Sequence, residues 1–325
     1  RVSGCRGRVQ GAGPAVVPSG TAPGALVRSW VVDEYSVSSV TFTPDGRFIV
    51  SSDPGKSVKV WEAATGQLRR TLEGHTDWVV SVAVSQDGSS IVSGGYDKTV
   101  KVWEASTGRL LHSLEGHASP VTSVAVSRDG RIIVSGSDDT SVRVWEATTG
   151  RLLRTLEGHS NRLFSVALSP DGSTIASGGM IDGPVRVWDT KTGRHLRSLE
   201  GHTLPVQAIA ASPDGRTFIT GSWDASVKIW DAATGALLRT LEGHSGFINA
   251  VAMSPDGRYV VSGSDDALKV WEAGTGRLVR TLEASEVFSV SISPDGRGLA
   301  IGGCKRNSSG SGPCAEGVIK IFAMP

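Results

Sequence analysis

At 325 residues the chain is longer than a typical single domain, so composition has to say whether it forms one large fold or two. Apolar residues at 39% support a core, charged residues at 20% are too few for a disordered chain, and a net charge of +1 gives no general grip on phosphate backbones. Three Cys exclude a disulfide scaffold and favour a reducing compartment, and no apolar run approaches the about 20 residues that span a bilayer.

Residues 1–25 are Gly- and Pro-rich, with no acidic residue and no apolar period, which predicts a flexible leader or linker. They lack the apolar centre of a secretory signal, although a basic, acid-free leader also fits a transit-peptide remnant. A chain that starts at Arg1 reads as a fragment or a processed product. Beyond the leader a repeat takes over. Trp61, Trp103, Trp145, Trp188, Trp230 and Trp271 stand 42, 42, 43, 42 and 41 residues apart, each followed by Glu or Asp. Gly-His recurs in step at His75, His117, His159, His202 and His244, and windows 74–115 and 116–157 agree at 27 of 42 positions.

Each period predicts four short strands and no helix. In residues 79–114, a β-branched run ends at the turn Asp87-Gly88, and Ile91-Val92-Ser93 follows up to a turn at Asp97. Val100 to Trp103 alternates in and out, Thr107-Gly108 turns the chain again, and Leu110 to Leu114 is the half-polar run of an outer edge. The fold class is all-β.

Four strands per period, with Gly-His and Trp-Asp or Trp-Glu at fixed places, resemble the WD40 family of β-propellers. The resemblance covers residues 26–325 as one domain. It implies seven blades, the last built from segments 287–292, 298–302 and 318–322, with Phe322 in place of the Trp. That blade runs out before its fourth strand, and Leu26 to Trp30 matches Leu278 to Leu282 of another outer strand. The N-terminal outer strand is therefore expected to complete the last blade and close the ring.

His, Ser and Asp recurring together suggest a catalytic triad. In the WD40 family the corresponding residues form a buried structural tetrad with the Trp. The matching sets are His75, Ser93, Asp97 and Trp103; His117, Ser135, Asp139 and Trp145; His159, Ser177, Asp182 and Trp188; His202, Thr220, Asp224 and Trp230; and His244, Ser262, Asp266 and Trp271. Five copies argue for architecture over catalysis. The first blade has Asp33 for His and Gly55 for Asp, and the last has no matching His or Asp, so these two are expected to be the weakest.

Other motifs lead nowhere. Gly55-Lys56-Ser57 lacks the earlier glycine of a phosphate loop, and the His residues lie one per blade, without metal-ligand spacing. Arg and Glu interleave on the outer strands, as at Arg69, Arg70 and Glu73, which reads as a solvated rim. Residues 304–317 lengthen one turn of the last blade. Cys304 and Cys314 could pair across it and Asn307-Ser308-Ser309 is formally a glycosylation sequon, both of which suit a secreted protein. The reading favoured here is a flexible Gly/Ser loop with two free thiols and a chance sequon.

Variation inside near-identical repeats points to function. It concentrates just after Gly-His and just before the tetrad Asp, positions that the WD40 resemblance places on the top face around the central channel. They read Thr76, Trp78 and Tyr96, then Pro120 and Asp138, Arg162 and Ile181, Leu204, Pro205 and Trp223, and Phe247 and Asp265. Trp, Tyr and Arg are the usual anchors of interfaces. The expectation is a non-enzymatic scaffold or adaptor, monomeric and cytoplasmic or nuclear, binding proteins or peptides there. No catalytic, cofactor or metal residue, small-molecule substrate, membrane or nucleic acid is expected. The alternative is the C-terminal sensor propeller of a larger kinase or switch ATPase.

Overall fold

The computed structural model describes residues 16–33, 36–53, 55–180, 184–284, 286–305, 314 and 316–325. Seven four-stranded antiparallel sheets follow one another around a ring. Blade two shows the plan, with strands Val79–Val84, Ser90–Gly95, Val100–Glu104 and Leu110–Leu114 running from the channel outwards. Its second strand is buried on both faces because the flanking blades cover it, and its outermost strand is half exposed. That gradient explains why alternation is clear in the outer strand and absent from the second.

The core lies between blades. Val50, Val58, Val60 and Leu72 of blade one meet Val79, Val82, Ile91 and Trp103 of blade two, and equivalent clusters fill the other junctions. One turn is common to all seven blades. The Ser85 hydroxyl donates to Asp87, the Ser89 amide donates to the same carboxylate oxygen, and Gly88 takes φ 70°. A side chain would be strained at that φ, so the turn needs glycine.

Ring closure follows the sequence expectation. The N-terminal strand Leu26–Asp33 forms the outer edge of the sheet made by Glu316–Ala323, Gly298–Lys305 and Val287–Ile292, paired from Leu26 opposite Phe322 to Asp33 opposite Gly317. The chain just before that strand also belongs to the blade. Val17 is buried, and the Gly24 amide donates to the Ala323 carbonyl at 2.7 Å.

One expectation is corrected. Cys304 and Cys314 are joined in a disulfide, their Cα atoms 5.7 Å apart, and do not stand as two free thiols. Cys304 is the last residue but one of the second strand of blade seven and stands opposite Gly317, so a hairpin whose strands pair up to Lys305 and Glu316 brings the two sulfurs together. Asn307, in the sequon between them, lies outside the described residues.

Candidate functional site

Each tetrad forms where the turn between second and third strands meets the Gly-His segment. The Trp103 indole N–H donates to Ser93 Oγ at 2.8 Å, Ser93 pairs with His75 Nε2 at 2.8 Å, and His75 Nδ1 lies 2.8 Å from Asp97. Only a neutral His satisfies every member. Ser93 accepts from Trp103 and donates to Nε2, while Nδ1–H donates to the carboxylate. The same contacts join His117, Ser135, Asp139 and Trp145; His202, Thr220, Asp224 and Trp230; and His244, Ser262, Asp266 and Trp271. In blade four, His159 and Trp188 meet Ser177 at 2.7 and 2.8 Å, and Asp182 lies outside the described residues. Blade one keeps the Trp61 to Ser51 bond at 2.9 Å.

Burial alone would raise the Asp97 carboxyl, but hydrogen bonds from His75, the Thr76 amide and Thr99 outweigh it and hold the group far below its ordinary range. Asp224 and Asp266 behave alike, and Asp139 is drawn down to about 2 against the same burial. Burial holds His117 and His244 below the ordinary value, more than their Asp partners raise them. These are properties of a satisfied network. Ser93, Ser135, Ser177 and Ser262 have no exposed surface, so no substrate reaches a hydroxyl that could act as a nucleophile.

The tetrads hold the top-face loops. The Tyr96 amide donates to the Trp78 carbonyl at 2.8 Å, Asp138 to Pro120 at 3.0 Å and Trp223 to Pro205 at 3.0 Å, pinning the variable positions in pairs. Gly95 lets the loops approach so closely, since a Cβ there would fall 2.5 Å from the Trp78 carbonyl oxygen. Trp78 stacks on Tyr96 with centroids 5.8 Å apart, yet the two remain 49% and 41% exposed. Trp223 stacks between Phe164 at 5.6 Å and Phe247 at 5.2 Å, making a three-ring strip across blades four, five and six. Phe247 and Leu204 stay exposed, Pro205 is buried, and Asp265 accepts a hydrogen bond from Asn249 at 2.7 Å. Thr76 and Arg162 are exposed and Pro120 is half-buried, while Ile181 lies outside the described residues.

Tyr96, Asp138 and Arg162 also line a cavity of about 560 Å³ at the channel, with Phe164, Asn249 and Phe288. Sequence reasoning missed these last three because they sit inside the innermost strands, in runs that read as core. A signal was present. The second residue of that strand reads Val80, Thr122, Phe164, Gln207, Asn249 and Phe288 in successive blades, as variable as the loop positions.

The WD domain, G-beta repeat family matches residues 24–62, 66–104, 108–146, 150–189, 193–231 and 235–272, well over half the chain. The protein belongs to the WD40 family. Among curated proteins, the nuclear distribution protein PAC1 of Arthroderma benhamiae is 41% identical over 61 residues, 16% of this chain and 13% of that protein. The nuclear distribution protein nudF 1 of Talaromyces marneffei is 34% identical over 53 residues, 16% of this chain and 12% of the relative. An uncharacterised WD repeat-containing protein of Nostoc sp. is 48% identical over 44 residues, 14% of this chain and 3% of the relative. The chain thus matches only a small part of each relative. WD40 propellers are as a rule non-catalytic platforms for protein contacts. The WD40 match ends at residue 272, and the seventh blade rests on the sheet that follows it.

Proposed function

We propose that the protein is a non-enzymatic scaffold whose top face binds protein or peptide partners. The observation that carries this reading is the pair of stacked aromatic groups, Trp78 with Tyr96 and Phe164 with Trp223 and Phe247, in which Trp78, Tyr96 and Phe247 are exposed while Phe164 and Trp223 are half-buried beneath them. Rings already stacked lose little freedom when a partner covers them, the condition for an energetic anchor. Residues of the tetrads position these loops and do not themselves touch the partner.

The test is affinity capture from a lysate of the source organism, wild type beside a folded Trp78→Ala, Tyr96→Ala, Trp223→Ala variant. Each anchor contributes about 2 kcal/mol, so specific partners vanish with the variant. Equal capture by both proteins sinks the reading.

A second reading, a regulatory propeller within a larger signalling protein, draws support from the match to 3% of a long Nostoc protein. Upstream coding sequence bearing a kinase or nucleotide-binding loop would favour it. Among the described residues no helix is long and apolar enough to cross a membrane. The proposed cytoplasmic or nuclear location loses one support, because disulfides such as Cys304–Cys314 persist mainly in oxidising compartments. Alkylating cells before lysis decides it, with two free thiols at these positions in a reducing compartment and none in an oxidising one.

A further inference from the structure

Neighbouring blades are tied together at the rim by single side chains. The third residue of an outer strand reaches the turn between third and fourth strands of the following blade and donates to a backbone carbonyl there. Arg28 reaches Thr65, Arg70 reaches Ala105 at 2.7 Å, Arg154 reaches Lys191 at 3.1 Å and Arg197 reaches Ala232. Between blades two and three His112 takes this place, its Nε2 3.0 Å from the Thr148 carbonyl. At the closure Arg280 lies against Gly24 instead, because blade seven has no turn between its third and fourth strands.

The junction of blades five and six breaks the pattern. The Arg239 stem sits in the usual place, since a Cβ on Gly276 would fall 3.5 Å from its Cδ, as one on Gly235 would fall 3.2 Å from that of Arg197. Its guanidinium is exposed and makes no hydrogen bond or ion pair among the described residues. The turn it faces carries Gly274, where blades one to five have Ala64, Ser106, Thr148, Lys191 and Ala233, and a Cβ on Gly274 would meet nothing within 4 Å. A groove of about 580 Å³ opens there, with Ile229, Leu238 and Met253 among its lining. Leu238 is 47% exposed, whereas Leu111 and Leu153 at the same place in blades two and three pack on the cores of their junctions.

The molecule's own repeats name the group that the free donor takes, a backbone carbonyl. A chain segment that brings one can also cover Leu238 and Met253 with a side chain. The remaining lining sets the charge of that segment. Asp214 has Arg216 at 3.9 Å, while Asp256 gives one oxygen to the Ser254 hydroxyl and the Arg258 amide and keeps the other without a donor among the described residues. An entering carboxylate is repelled by this wall and an ammonium group is attracted.

We propose that the groove between blades five and six is a second docking site, separate from the top face. It takes a peptide segment that seats an aliphatic residue on Leu238 and Met253, gives a backbone carbonyl to Arg239 and carries a lysine towards Asp256.

The probe is the capped tripeptide acetyl-Lys-Leu-Gly-amide, titrated against the full chain carrying methyl-labelled methionine. Of the methionines Met180, Met253 and Met324, Met253 lines the groove. Its methyl resonance is expected to move saturably while the other two stay in place. Acetyl-Lys-Ala-Gly-amide and acetyl-Glu-Leu-Gly-amide should bind about tenfold or more weakly, and Leu238→Ser and Arg239→Ala should weaken the Lys-Leu-Gly probe by about the same factor. Both variants change exposed side chains, and thermal melts establish that they are folded. Should one not fold, the three probes on wild type carry the test. An unmoved Met253 resonance, equal binding of the three probes, or equal binding by wild type and Arg239→Ala overturns the proposal. Loss of the probe from the Trp78→Ala, Tyr96→Ala, Trp223→Ala variant overturns it too, by placing the peptide on the top face. Partner capture that does not depend on those three aromatics sinks the top-face reading alone and leaves this groove untouched.

Discussion

At the residue scale, one hydroxyl does two jobs. Ser93 takes the Trp103 N–H and supplies a proton to His75, so Ser93→Ala strands a buried donor and a buried acceptor together. Ser51 in blade one serves Trp61 without a matching His, and Ser51→Ala strands the indole N–H alone. With each orphaned group costing about 1–3 kcal/mol, Ser93→Ala should lower unfolding free energy by about 2 kcal/mol or more and Ser51→Ala by clearly less. Urea titrations of the two variants check this, and equal losses would mean that His75 is incidental. The network also fixes a pH dependence. His117 and His244 titrate below the ordinary 6.5 because the fold favours their neutral form, so the unfolded chain binds more protons below that value. Asp97, Asp139, Asp224 and Asp266 are depressed from 3.8, which adds stability that is present above that value and fades as pH falls through their folded values. Both contributions run the same way. Stability should fall steadily as pH drops from 7 towards 2, with the first losses below about 6.5, and a urea midpoint that rises between pH 7 and 5 would contradict the neutral-histidine network.

At the scale of strands and blades, serine hydroxyls bridge neighbours around the channel. Ser39, Ser81, Ser123 and Ser165 accept from the amides of Val82, Val124, Val166 and Ile209 in the following blades, and Ser289 accepts from Val40 across the closure. Ala208 and Ala250 occupy the same place in blades five and six and bring no hydroxyl to the amides of Val251 and Val290. Restoring the hydroxyl with Ala208→Ser and Ala250→Ser should raise unfolding free energy by about 0.5–1.5 kcal/mol for each site, read as a higher urea midpoint; no change would mean that water already serves those amides as well. This ring could have been read from the sequence, because Ser-Val-Ala repeats at a fixed place. The tetrads and the closing strand were legible for the same reason, since repetition turns a single chain into its own comparison. Contacts between unlike segments were not. Phe164, Trp223 and Phe247 stack although 59 and 24 residues separate them along the chain, and nothing in one blade's sequence encodes the neighbour's ring. The Cys304–Cys314 pairing depended on a hairpin whose ends meet in space, which spacing alone does not establish.

For the molecule as a whole, the first and last strands meet at the place where the polar networks are thinnest. A ring of blades resembles other repeat arrays, in which each unit draws stability from its neighbours, so a weak pair of units should open before the rest. Blade one keeps the Trp–Ser bond without a His, and blade seven has no Gly-His segment and carries Phe322 at the third-strand place of the tetrad Trp. Two features offset this. The strand Leu26–Asp33 covers the edge of Glu316–Ala323, with Trp30 packed 6.1 Å from Trp61 of blade one, and the disulfide clips the hairpin that lies one strand further in. The clip closes a short loop in the unfolded chain, which contributes roughly 2–3 kcal/mol on the chain-entropy account. Native-state hydrogen exchange can therefore read the hierarchy directly. Amides of blades one and seven should open at lower free energy than those of blades three to five. Reduction of Cys304–Cys314 should lower protection in Gly298–Lys305 and Glu316–Ala323 by up to that amount, while the second strand of blade three, Ile132–Ser137, stays unchanged. Uniform protection around the ring, or an equal loss in blade three on reduction, would show that the propeller opens as one unit and that closure is not its weak point.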